Sequence, residues 1–190
     1  KKGVFYLRTI EDAEGILAVL KDVKKACILG GGLVGMRVAY SLSRQGKSVQ
    51  VVVKSKHIFS QMLDFESSDM IGRHLESNGI NIYTSLEAVE ILGKEKVTGV
   101  LLDDGNKLDC DLIIIGKGVS PNIGLLKDKV KMGAGIIVDT FLKASDDSIY
   151  AAGDVAEAFD LIEKKNNINA IWTGAIRQGK IAGFNMAGKS

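Results

Sequence analysis

The chain has 190 residues, 46% of them hydrophobic, with 25 Lys and Arg against 23 Asp and Glu for a formal charge of +2. That balance excludes binding to nucleic acid or anionic membrane through bulk charge, and the apolar fraction is that of a chain with a packed core. No apolar stretch is long enough to span a bilayer, and Lys1-Lys2-Gly3 leads into alternating residues rather than a signal-peptide core, which predicts a cytoplasmic protein.

Residues 4–7 read as a short strand, and Thr9 with Asp12 three residues later forms a capping box before Ala13, Ile16, Leu17 and Leu20 at helical spacing. Residues 26–29 are an apolar run, followed by Gly30-Gly31-Gly32-Leu33-Val34-Gly35. A helix then carries Gly35, Val38, Ala39 and Leu42 on one face and ends at Gly46. In a strand, glycine turn and helix of this kind, backbone N–H groups at the helix N-terminus can hold a pyrophosphate. Gly30 permits the tight turn, Gly32 lets the backbone approach the phosphates, and Gly35 lets the helix pack on the strand. Taken alone, the same cluster reads equally well as a plain turn.

The valines of 49–53, interrupted only by Gln50, suit a parallel strand covered on both faces, so 26–53 forms one βαβ unit. Residues 64–78 read as a helix stopped by Gly79, and 80–83 as a strand. Segments 88–92, 97–102 and 108–115 are strand candidates joined by short turns, one of them Asp103-Asp104-Gly105, and predict an antiparallel meander. It runs into a second glycine turn, Gly116-Lys117-Gly118, near the only proline, Pro121, where a domain boundary is expected between 1–118 and 119–190. Beyond it, 136–138 and 148–152 read as strands, the second closed by Gly153-Asp154, and 166–169 as a polar loop. The last helix is expected over 172–187, with Trp172, Ala175, Ile176, Ala182, Gly183 and Met186 on one side.

The first glycine turn, the meander, Gly116-Lys117-Gly118 with Pro121-Asn122, and Ile149-Tyr150-Ala151-Ala152-Gly153-Asp154 together resemble the pyridine nucleotide-disulfide oxidoreductase family of flavoproteins, over nearly the whole chain. Leu7-Arg8-Thr9, Gln61-Met62-Leu63-Asp64 and Asn169-Ala170-Ile171-Trp172 are most similar to the branch of NADH oxidases, rubredoxin reductases and the reductase portion of assimilatory nitrite reductases. The resemblance implies an α/β fold: a Rossmann-like parallel sheet with an antiparallel three-stranded β-meander crossover, plus part of a second, FAD-binding α/β domain. Residues 1–118 would be the inserted NAD(P)H-binding domain and 119–190 the returning segment of the FAD-binding domain. The family's own FAD glycine motif and its C-terminal dimerisation domain have no counterpart here. The chain, which starts with Lys1, therefore reads as an excerpt of a longer homodimeric enzyme that would not run a full cycle alone. The implied activity passes hydride from NAD(P)H to FAD and electrons on to an unidentified acceptor, the cofactors carrying the redox chemistry.

By the same resemblance Leu33, Val34 and Gly35 would offer N–H groups to the pyrophosphate, and Gly116 and Gly118 would border the riboses. NAD-specific relatives place an acid at the end of the second strand. Here Lys54-Ser55-Lys56-His57 follows Val53 with no acid before Asp64, which suits a 2′-phosphate and points to NADPH, the bland alternative being a solvated lysine. Asp154, beside Gly153, would accept a hydrogen bond from the FAD ribityl chain; by itself it would read as a helix cap. The helix entered at Trp172 would aim its positive end at the flavin, and Trp172 itself reads either as flavin contact or as packing. Arg37 stands where many relatives carry a Glu, so that role is not transferred. Cys27 and Cys110 match no catalytic cysteine, His57 and His74 match no acid-base position and read as surface residues, and no cluster has metal-ligand spacing. A second reading stays open, a free-standing NAD(P)-binding or redox-sensing module without catalysis. Gly153-Asp154 and the Trp172 helix distinguish the two.

Overall fold

The computed structural model describes residues 1–189 and divides into two compact units, Lys1–Gly118 and Val119–Ser190. The first opens with β1 (Val4–Tyr6), α1 (Ile10–Leu20), β2 (Lys25–Leu29), α2 (Leu33–Arg44), β3 (Ser48–Val53), α3 (Phe65–Ser77) and β4 (Ile80–Thr84). The meander β5 (Ala88–Leu92), β6 (Gly99–Leu102) and β7 (Lys107–Asp109) follows, and β8 (Leu112–Ile115) returns to the main sheet. That sheet is parallel throughout, in the order β1-β8-β2-β3-β4, while β5-β6-β7 is antiparallel.

Alternation along the parallel strands builds two cores at once. Ala26 and Ile28 of β2, Val49, Val51 and Val53 of β3, and Leu112 and Ile114 of β8 pack with Ile16, Leu20, Met36, Ala39, Leu42 and Leu75 from the three helices. Cys27, Leu29, Val52 and Ile113 pack on the other face with Val97, Val100 and Leu102 beneath the meander. The near-continuous hydrophobic runs follow from this double burial. The buried Gln50 donates from Nε2 to the Asp109 carbonyl at 3.0 Å, which satisfies the one amide set among these valines.

The helix starts are those the sequence predicts. Thr9 Oγ1 accepts from the Asp12 N–H and Asp12 Oδ2 accepts from the Thr9 N–H at 3.0 Å, a closed capping box. Asp64 caps α3 through the Ser67 N–H at 2.8 Å. Two strands are shorter than expected, β6 starting at Gly99 and β1 ending at Tyr6, and the single strand expected at 108–115 is two. Asp111 Oδ2 accepts from the N–H groups of Lys24 and Lys25, both at 3.0 Å, and its own N–H donates to the Lys25 carbonyl, so the chain turns there out of the meander and into the parallel sheet.

In the second unit β9 (Ile136–Ile137), β10 (Ala156–Asp160) and β11 (Lys165–Asn167) form a sheet in the order β11-β10-β9, with α4 (Trp172–Met186) after it. Ile136, Val138, Leu142, Ala151, Ala156 and Ala182 form its core. Residues 148–152 are not a strand. Hydrogen bonds from Ala144 N–H to Ile149 and from Ala151 N–H to Leu142 fold them back on 142–144, with only a bridge between Lys143 and Tyr150. The sheet strand comes after Gly153-Asp154, and β11 occupies part of the expected polar loop. On α4, Ala182 is buried, whereas Trp172, Ile176 and Met186 of the predicted apolar side are exposed.

Two glycine substitutions separate close packing from helix propensity. A Cβ at Gly35 would run into the Gly30 carbonyl oxygen, so Gly35→Ala is expected to destabilise by about 1–3 kcal/mol. Gly72, in α3 with open space around its would-be Cβ, should gain about 0.5–1 kcal/mol on Gly72→Ala. Urea unfolding of both variants measures the contrast.

Candidate functional site

The carboxyl ends of β2, β3 and β8 lie side by side, and the chemistry-bearing residues of the first unit gather there. Gly30 leaves β2 with φ at +127°, and a Cβ on it would strike the Gly116 carbonyl oxygen. Gly35 lies against the Gly30 carbonyl from the other side, and Gly116 stands 3.5 Å from Gly35 at its would-be Cβ. The two glycine turns identified from sequence are therefore one packed junction. Gly31 is held by its neighbours, since a Cβ would press on Val53 and Ile58, and its carbonyl accepts from the Phe59 N–H at 2.8 Å.

Gly32 and Gly118 are different. A Cβ on either would meet nothing within 4 Å, and Gly118 has φ at +92°. Gly32 is the N-cap of α2 and offers no side-chain cap, the first turn holds no acidic residue, and Leu33 and Val34 are 53% and 49% exposed. The positive end of a twelve-residue helix thus faces open space beside a glycine with no side chain in the way, a cradle that fits a pyrophosphate.

At the neighbouring strand end, the loop after β4 folds alongside the loop after β3, with Ser85 N–H donating to the Ser55 carbonyl and Leu86 N–H to the Val53 carbonyl. Ser55 Oγ accepts from Ser60 Oγ at 2.9 Å. Lys54 is not a free cation, for its Nζ lies 2.8 Å from Glu87 Oε2, while Lys117 Nζ lies 2.8 Å from Glu87 Oε1. β3 and β8 flank β2 on either side, so this carboxylate links the two strand ends bordering the glycine turn. Hydrogen bonds and charge from Lys117 and then Lys54 pull the Glu87 carboxyl from 4.5 down to about 2, and Glu87 in turn raises the Lys54 ammonium. Sequence reasoning identified Lys54 and missed Glu87. The available signal was its position, an acid three residues past a parallel strand adjacent to β3.

Arg37 is exposed on α2 and takes part in none of the ion pairs among the described residues. His57 is half-buried rather than a surface residue, its ring edge-on to Phe65 at 5.9 Å and its Nδ1 3.0 Å from the Ile58 carbonyl, whereas His74 is exposed. Cys27 and Cys110 are buried free thiols of one core, and contact with Cys110 together with burial pushes the Cys27 thiol up, away from the reactive thiolate. In the second unit Gly153 has φ at +74°, packs on Ala175, and donates its N–H to Gln178 Oε1 at 2.7 Å. Asp154 is exposed directly after it, and α4 starts at Ile171 with no side-chain cap and no acid in its first turn. Trp172 is 82% exposed.

Residues 1–179 match the family described as pyridine nucleotide-disulphide oxidoreductase. The chain belongs to this family. It is 38% identical over 190 residues to an NADH oxidase of Methanocaldococcus jannaschii, covering 98% of this chain and 42% of that protein. It is 35% identical over 158 residues to an assimilatory nitrate reductase electron transfer subunit of Bacillus subtilis, covering 83% of this chain and 20% of that one. A solved NAD-dependent persulfide reductase from A. fulgidus superposes with a TM-score of 0.94 at 30% identity, covering all of this chain and 36% of that one. The chain thus spans less than half the length of these relatives. Among the described residues, no helix is long and apolar enough to cross a membrane.

The Glu87 carboxyl should titrate near pH 2 by carbon-detected NMR and return toward 4.5 in Lys117→Met. The sign follows from the depressed value. Whatever the bridge adds to stability is present above pH 4.5 and is lost as pH falls toward about 2, where the folded-state carboxylate is protonated.

Proposed function

We propose that this chain is the NAD(P)H-binding domain, residues 1–118, and the returning segment of the FAD-binding domain, residues 119–190, of a flavin-dependent oxidoreductase. The observation that carries the reading is the open side of Gly32 at the uncapped start of α2, on a strand end packed against the second glycine turn. Family membership supports it, as do the reductase and oxidase names of the relatives.

In this reading the N–H groups of Leu33, Val34 and Gly35 hold the pyrophosphate, and Gly30, Gly31 and Gly32 set its approach. Gly116 and Gly118 border the riboses. Lys54 and Ser55 face the adenosine 2′ position, where an ammonium and a hydroxyl favour a 2′-phosphate and hence NADPH. Gly153 lets Asp154 reach a ribityl hydroxyl, and Trp172 covers the flavin from the α4 start, whose positive end favours negative charge on the ring. When bound, the nicotinamide supplies a hydride and FAD accepts it. The chain's own residues position both partners and contribute no group that changes oxidation state. The acceptor is left unassigned, and a cytoplasmic homodimer is the form we propose for the intact protein.

Anaerobic stopped-flow of the intact protein, following flavin bleaching with each nucleotide, tests the reading. NADPH is expected to reduce the flavin with the higher efficiency, and Lys54→Glu to move the ratio of the two nucleotides' reduction rate constants over Kd toward NADH by about tenfold or more. An unmoved ratio would remove Lys54 from the 2′ site. Asp154→Ala should weaken FAD retention by about tenfold, the order expected for a lost hydrogen bond to a charged group, read from the flavin-to-protein absorbance ratio after dialysis.

A further inference from the structure

We infer that Glu87 is a specificity-determining residue of the nucleotide site, a carboxylate that competes with a 2′-phosphate for Lys54 and so holds back the preference for NADPH. The inference rests on the proposed nucleotide reading of residues 30–35 and 54–55 and deepens it.

Three observations carry it. Glu87 binds Lys54 and Lys117 through separate oxygens, each at 2.8 Å, so one carboxylate serves both lysines. Its place is fixed by backbone: the Glu87 N–H donates to Asp103 Oδ1 at 3.0 Å, the Asp103 N–H donates to the Glu87 carbonyl at 2.9 Å, and Leu86 N–H is tied to Val53. And the two lysines stand at the ends of β3 and β8, the strands on either side of the glycine-turn strand β2. An acid at this edge therefore exists, although β3 itself is followed by a lysine. It arrives from the start of the meander.

The electrostatic consequence is a graded site. With Glu87 ionised, the two ammonium groups and one carboxylate of the bridge carry a single net positive charge, offset further by the Asp103 carboxylate that acts on Lys54, and an entering 2′-phosphate must displace the Glu87 carboxylate from Lys54 or share the lysine with it. A 2′-hydroxyl makes no such demand. Lys54 and Glu87 are solvent-accessible, so the exchange is a competition between hydrated ions, moderate in size and weakened by salt. Removing the charge of Glu87 releases two ammonium groups toward a dianion while leaving the pyrophosphate cradle at Gly32 untouched.

The test is titration calorimetry of the intact protein with NADP+ and NAD+ for wild type, Glu87→Gln and Glu87→Gln with Lys54→Met. Glu87→Gln should tighten NADP+ by about tenfold and change NAD+ by less than about threefold, with the gap narrowing as salt is raised. Adding Lys54→Met should abolish that gain. Glu87→Asp keeps the charge one methylene shorter and serves as a second variant, expected to fall between wild type and Glu87→Gln. A NADP+ to NAD+ ratio unchanged by Glu87→Gln, with both nucleotides still bound, overturns the inference and leaves the nucleotide reading standing. Loss of NAD+ affinity on Glu87→Gln overturns it in favour of a ribose-accepting carboxylate. Absence of binding by either nucleotide in the wild type overturns both.

Discussion

Three glycines let the backbones of β2, α2 and β8 touch, and the geometry of the first unit depends on that contact. Gly30 lies against the Gly116 carbonyl, Gly35 against the Gly30 carbonyl, and Gly116 against Gly35. The contact is anchored by sheet hydrogen bonds on either side of β2, from Gly30 N–H to Val52 at 2.9 Å and from Gly116 N–H to Leu29 at 2.8 Å. A side chain at Gly30 or Gly35 would push the helix start off the strand end, and the uncapped N–H groups would no longer share one edge with Lys54 and Lys117. Side-chain-free packing at Gly30 and Gly35 is thus what leaves Gly32 open, so the same run of residues divides into buried and empty positions.

That edge can be built because the sheet is covered on both faces. Strand residues alternate between the helical core and the meander core, and with both faces filled the ends of the strands are where polar groups can meet solvent. The meander does more than cover. Its first strand begins one residue after Glu87, so the element that closes the second core also delivers a carboxylate to the strand ends. Packing and charge placement are coupled through residues 84–88, which explains why the acid of this site is not on β3.

Local signals were legible in the sequence where a single residue type has one physical use. The glycine turn, the Thr9–Asp12 box and the stops at Gly46 and Gly79, both with positive φ, need no distant partner to be read. The failures share the opposite property. Asp111 breaks 108–115 because it bonds to Lys24 and Lys25, some 86 residues away in sequence, and no period reveals that. Residues 148–152 carry Ile149 and Tyr150 like a strand, but their hydrogen bonds close a local loop, whereas Lys165–Asn167 joins the sheet on polarity that reads as loop. In the site, Gly30, Gly35 and Gly116 could be named from sequence but not their mutual contact, and Lys54 could be named without the partner 33 residues downstream.

Glu87 changes how a lysine at a strand end should be weighed. An exposed ion pair adds little to folding stability, since desolvation and side-chain ordering offset most of the attraction. Its larger consequence is where it leaves charge. If this edge holds the nucleotide as proposed, a carboxylate on β3 itself would sit at the 2′ position in every state, whereas one delivered from the β4–β5 connection would reach it only through Lys54, the residue a phosphate would also seek. Selectivity at such an edge is then a difference between two pairings of the same ammonium group, carboxylate or phosphate, and not a property of the lysine alone. A strand-end residue read singly would assign this site to one nucleotide. Read with Glu87, the proposed site becomes a balance that either partner would shift.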